Sequence, residues 1–218
     1  MDPLCKAIEA TRDHVREQFA SDATGHDWWH IWRVRNSAVF IARDEGADVQ
    51  IVELATLLHD IADWKFHDGD EAAGPRVAGE WLSPFGLSDE TVAAVVDIVG
   101  QVSFKGAGVE TRPSTLEGQC VQDADRLDAL GAVGISRVFA YGGHVGQPIH
   151  DPDANPSIHN TFEQYKASRT TSINHFHEKL LLLTERMNTV SGRRLAAERH
   201  RFMVAFLERF ELEWSFGT

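Results

Sequence analysis

His59 and Asp60 stand side by side in the segment LATLLHDIADWKF. A neutral imidazole offers a nitrogen lone pair and an ionised carboxylate offers two oxygens, so this pair can reach one divalent cation. His59 lies one turn after Ala55 and one residue after Leu58, at the edge of the apolar face of a predicted helix. An ionisable pair there must be paired, ligated or deprotonated. Asp63 follows one turn later, on a neighbouring patch of the same predicted helix. Alone the dipeptide is a weak signal, and the chain holds a second copy, His26-Asp27. There Asp27 reads as the N-cap of the helix WWHIWRV.

The wider constellation raises the odds of a metal site. His30 lies on the helix before the His59 helix, and Asp125 lies in VQDADRLDALG on a later one. Neighbouring helices of a bundle can bring such residues around one ion. Asp123 and Asp128 are rivals of Asp125 for the last place. Two imidazoles and two carboxylates suit one octahedral divalent ion, Mn²⁺ first, with Mg²⁺, Co²⁺, Fe²⁺ or Ni²⁺ as alternatives. Zn²⁺ is less favoured because no thiolate is offered. Such an ion makes hydroxide available at neutral pH and neutralises phosphate oxygens. Asp63 can orient the attacking water or take its proton. Lys65, Lys105, Arg33 and Arg126 are candidate phosphate contacts. For the two arginines an ion pair or a solvated charge is the favoured reading. His26 precedes the His30 helix and could face the same pocket. His144, His150 and His159 read as histidines scattered near a loop, and His175 and His177 diverge on a helix. Trp28, Trp29 and Trp32 read as core or pocket rim.

Helices must position these residues. Apolar residues recur at helical spacing in Leu4, Ile8, Val15 and Phe19, in Ile31, Val34, Ala38 and Ile41, and in Ile51, Leu54, Ala55 and Leu58. Gly46 ends the second helix and Asp48 caps the third. Ser88 with Asp89 and Glu90 starts another, whose valines would also allow a strand. Phe176 to Val190 and Met203 to Trp214 predict two long antiparallel helices joined at Ser191-Gly192. Phe104–Ser114 and Tyr141–Ser157 lack periodicity and read as loops. The fold class is all-α. A single domain is expected over 1–218, with a metal-binding core at about 20–140 and a C-terminal helical pair at about 160–215.

Composition narrows the function classes. The two cysteines, Cys5 and Cys120, are far apart, which argues against a disulfide scaffold. The N-terminus reads as no signal peptide and no apolar run spans a bilayer, so a cytoplasmic protein without a membrane partner is expected. A formal net charge of −12 disfavours nucleic acid as a partner. A small polyanion remains accessible where a metal or local cations overcome that field. An aromatic-rich last helix would allow a homodimer.

The order His30, His59-Asp60, Asp125 resembles the H…HD…D signature of the HD superfamily of metal-dependent phosphohydrolases. GHDWWHIWRVRNSA, LLHDIADWKFHDGD, VQDADRLDALGAVGISR and the tail from Asn174 to Trp214 look like a subgroup of small stand-alone bacterial members related to nucleotide pyrophosphohydrolases. This resemblance implies the all-α HD bundle and His30, His59, Asp60 and Asp125 as ligands. Asp125 is preferred because its ADRL segment is similar to that of guanosine tetraphosphate hydrolases. Asp128 then supports the site or faces substrate, Asp63 works with the water, and Lys65 and Lys105 gain weight. The implied substrate is a small nucleotide, with nucleoside triphosphate pyrophosphohydrolysis preferred. The alternatives are a phosphomonoesterase acting on nucleoside monophosphates and a non-catalytic metal-binding sensor. An oxygenase would need more histidines than His67, the one between Asp60 and Asp125.

Overall fold

A computed structural model of the chain describes residues 2–20, 27–62, 70, 72–102, 112–157 and 170–216. Nine α-helices are described: α1 (Pro3–Gln18), α2 (Trp28–Glu45), α3 (Val49–Leu58), α4 (Ala73–Leu82), α5 (Asp89–Gln101), α6 (Leu116–Asp128), α7 (Gly131–His144), α8 (Ser172–His175) and α9 (Val190–Ser215). No strand occurs among the described residues, and the fold is all-α. The chain gathers into two compact units. One comprises Met1–Phe104 and Thr111–Asp125, the other Lys105–Glu110 and Arg126–Thr218.

Local signals set the helix ends of the first unit. Asp27 caps α2 by accepting the His30 N–H at 2.8 Å. Asp48 caps α3 by accepting from Gln50 and Ile51, and Ser88 caps α5 by accepting from Thr91. Each side-chain oxygen satisfies a donor that the first helical turn leaves open. Gly46 ends α2 with φ +77°, a conformation that a Cβ would strain. The valine-rich segment is helical, because the Ser88 cap and the acids Asp89 and Glu90 favour a helix start.

α3 is the centre of this unit and packs on α1, α2 and α5. Val52, Leu54, Ala55, Leu57 and Leu58 are all buried, so its apolar face is wider than the spacing predicts. Each such leucine contributes about 1.5–3 kcal/mol by leaving water. Trp28 of α2 joins Val15, Ile31 and Leu57 in one cluster. Arg35 of α2 pairs with Glu53 of α3 and lies over the Trp32 ring. Asp48 N–H donates to Glu117, and Gln122 donates to the Gln101 carbonyl, which tie α6 to the start of α3 and the end of α5.

The second unit differs from the sequence reading in three places. Tyr141–His144 belong to α7, so the irregular stretch is shorter than expected. Position 142 favours glycine because Ser172 approaches it closely; a Cβ there would meet Ser172 Oγ at 2.4 Å. The N–H of Gln147 closes the helix on the Gly142 carbonyl, with Gly146 at φ +70° between them. The expected long helix from Phe176 winds instead as a π-turn (Phe176–Leu180) and a 3₁₀ segment (Leu181–Arg186), directly after α8. One wide turn followed by a tight one preserves the average spacing, so Phe176, Leu180 and Leu183 still reach the core. The junction with α9 is Met187–Thr189 rather than Ser191-Gly192. Thr189 caps α9 on Gly192 N–H, so Ser191 and Gly192 lie in its first turn. Phe139, Phe176, Phe206, Phe210 and Trp214 then stack or tilt on one another in sequence.

Candidate metal centre

The Asp27 cap places His30 in the first turn of α2, and the neighbouring Trp28 anchors that turn in the core. The His30 side chain is 1% exposed. His59 sits one residue beyond α3, at its C-cap, and His59–Ala62 form a turn rather than the continued helix the spacing predicts. The ring nitrogen Nδ1 of His59 lies 2.7 Å from the Thr56 carbonyl. A carbonyl only accepts, so Nδ1 carries the proton and Nε2 carries the lone pair. That bond also takes a carbonyl of the last helical turn, where none has an intrahelical partner.

The two imidazoles face each other with ring centroids 5.4 Å apart. Asp60 Oδ2 lies 3.4 Å from His30 Nε2 and 3.5 Å from His59 Nε2. Asp125 Oδ1 lies 3.6 Å from the first and 3.9 Å from the second. Ligand atoms of His30, His59 and Asp60 all fall within 4.8 Å of one another. The His59 Nε2 atom is buried and makes no hydrogen bond. Such an atom costs about 1–3 kcal/mol unless something occupies its lone pair. Separations of this kind are long for hydrogen bonds. They suit atoms that each lie roughly 2.0–2.2 Å from a shared ion. The donor set of two imidazole nitrogens and two carboxylates fits a divalent metal. Asp60 is 14% exposed and Asp125 32%, so the carboxylate side is the open one.

The rivals of Asp125 have different surroundings. Asp123 is fully buried. Burial foremost, then Asp123, Glu45 and Glu117, pushes the Cys120 thiol up to about 12. Asp128 is 5% exposed and accepts from Arg137 Nη1 at 2.7 Å. The Arg126 guanidinium donates to the Arg186 carbonyl. Arg33 is half-buried one turn beyond His30. Asp63, Lys65, Lys105, His26, His67 and His159 lie outside the described residues. His150 packs edge-on against Phe210 and Trp214, and His144 is exposed. The sequence reading missed the Thr56 carbonyl as the partner of His59, since a backbone acceptor leaves no mark in residue types.

The HD-domain family model matches residues 28–130, from the first turn of α2 to the residue before α7. The chain is 37% identical over 207 residues to the uncharacterised protein YpgQ of Bacillus subtilis, covering 94% of this chain and 93% of that one. The chain belongs to the HD superfamily. Among solved structures, a Lactobacillus plantarum protein is 37% identical with a TM-score of 0.84, over 96% of this chain and 97% of that one. An HD-superfamily hydrolase of Bacillus thuringiensis is 39% identical with a TM-score of 0.76, over 97% and 98%. YpgQ solved in complex with ADP is 35% identical with a TM-score of 0.77, over 97% of each chain. As an HD protein the chain is a metal-dependent phosphohydrolase. No described helix is long and apolar enough to cross a membrane.

Proposed function

We propose that this HD protein hydrolyses nucleotides with one divalent ion, Mn²⁺ preferred, held by His30, His59, Asp60 and Asp125. The preferred reaction cleaves a nucleoside triphosphate to the monophosphate and pyrophosphate. The observation that carries this reading is the convergence of two imidazole Nε2 atoms and two carboxylates within 3.4–3.9 Å. The YpgQ complex with ADP supports a nucleotide as ligand. A bound divalent ion acidifies water and screens phosphate charge.

The chain's own residues do the rest. His59 keeps its Nε2 lone pair free of a proton because Nδ1 donates to Thr56. Asp60 and Asp125 bring negative charge that only a cation or a proton offsets. Asp63 is assigned to orient water toward the α-phosphorus and to take its proton as the Pα–O bond to pyrophosphate breaks. Lys65 and Lys105 are assigned to the phosphates, with Arg33 and His26 as further substrate contacts. Local cations are required because the formal net charge is −12.

The test strips the protein with chelator, restores Mn²⁺, and offers nucleoside mono- and triphosphates while phosphate and pyrophosphate release are measured separately. Metal-dependent pyrophosphate release, reduced at least about 100-fold in Asp60→Ala, is expected. Phosphate released from monophosphates alone would make the protein a phosphomonoesterase. Metal binding without hydrolysis of any nucleotide would make it a sensor.

A further inference from the structure

We infer that Thr56 is a positioning residue for the HD pair, acting through its hydroxyl. This rests on the proposed role of His59 as a metal ligand. Thr56 is fully buried on the last full turn of α3, three residues before His59. Its Oγ1 donates to the Val52 carbonyl at 2.6 Å. The helical ladder already assigns that carbonyl to the Thr56 N–H. Val52 therefore receives two donors from one residue, an arrangement that often bends helices. The back-bond also selects one of the two rotamers open to a helical threonine.

The consequence falls on the other end of the same residue. In a helix that ran on straight, the Thr56 carbonyl would face the N–H of Asp60. Here it meets His59 Nδ1 at 2.7 Å, and the helix stops at Leu58. The Leu58 carbonyl is taken separately, by the Ile61 N–H at 3.1 Å. One side chain thus sets the tilt of the last turn, the tilt aims a carbonyl, and the carbonyl fixes the ring orientation and tautomer of His59. A partner of this kind is what gives a ligating histidine its basic Nε2.

The experiment compares Thr56→Val, which keeps the shape and removes the hydroxyl, with Thr56→Ser, which keeps the hydroxyl. Calorimetric titration of Mn²⁺ into the metal-stripped full chain reads affinity, with His59→Ala as reference, and circular dichroism confirms helix content. Thr56→Val should bind about 10-fold more weakly and Thr56→Ser within about three-fold of the original protein. Nitrogen NMR of His59 without metal should show the Nδ1–H tautomer in the original protein and a tautomer mixture in Thr56→Val. Should Thr56→Val fail to fold, Thr56→Ala carries the same comparison. Unchanged affinity in Thr56→Val with weakened His59→Ala overturns this inference and leaves the metal site standing. Equal weakening in Thr56→Val and Thr56→Ser also overturns it. Unweakened binding in His59→Ala overturns both readings.

Discussion

Asp60, Asp125 and Asp128 are all candidate site carboxylates in the sequence, yet their surroundings differ. The first two face imidazoles across 3.4–3.9 Å, and the third accepts from a guanidinium at 2.7 Å. Asp128→Asn removes the charge that Arg137 pairs with, inside the fold of the second unit. Its unfolding free energy should fall by about 1–3 kcal/mol, the penalty of an ill-matched buried polar group. Urea unfolding reads this, and Mn²⁺ affinity should stay unchanged. An unaltered unfolding midpoint with a raised KM would instead put Asp128 against the substrate. Asp60→Ala belongs to the same scale, where losing one carboxylate removes both a proposed ligand and the charge proposed to hold the ion.

At the scale of elements, the position of His30 depends on how α2 begins. Asp27 accepts the His30 N–H itself, so cap and site share one residue. Asp27→Ala should lower stability by about 1 kcal/mol and weaken metal binding with it, because the turn that frays carries the proposed ligand His30. Asp27→Asn, a cap of equal quality, should retain both; equal loss in the two variants would disprove the capping argument. The α8 region makes a second case. Burial, with Lys179 nearby, lowers the His175 pKa to about 3, against an ordinary value of 6.5. The unfolded chain therefore binds a proton that the folded one refuses between those values. The stability that neutral His175 contributes is present above pH 6.5 and is lost as pH falls toward 3, by at most about 1.4 kcal/mol per unit. Denaturation midpoints at pH 7 and pH 5 should differ less in His175→Gln than in the original protein.

For the whole molecule, a metal that binds the folded state alone shifts unfolding by mass action. At a hundred times its Kd the ion should add about 2.7 kcal/mol. That corresponds to a rise in Tm of about 5–10 °C for a chain of this size. Chelator should reverse the rise, and Asp60→Ala should show none of it. A Tm indifferent to Mn²⁺ in the original protein would refute binding at the HD pair. The net charge of −12 adds a further constraint, because an anionic substrate approaches an anionic protein.

The all-α class, the caps Asp27, Asp48 and Ser88, the stop at Gly46 and the grouping of His30, His59 and Asp60 were legible in the sequence. Each rests on spacing along one chain or on a side chain bonding to backbone a few residues away. Other features needed the tertiary structure. Asp125 approaches the imidazoles from α6, which is held by Glu117 and Gln122, whose partners are remote in sequence. The helix ends before His59, and the π and 3₁₀ turns replace regular helix after His175, without disturbing the apolar period. Periodicity reports which residues face inward; it is blind to which carbonyl a side chain takes, and packing makes that choice.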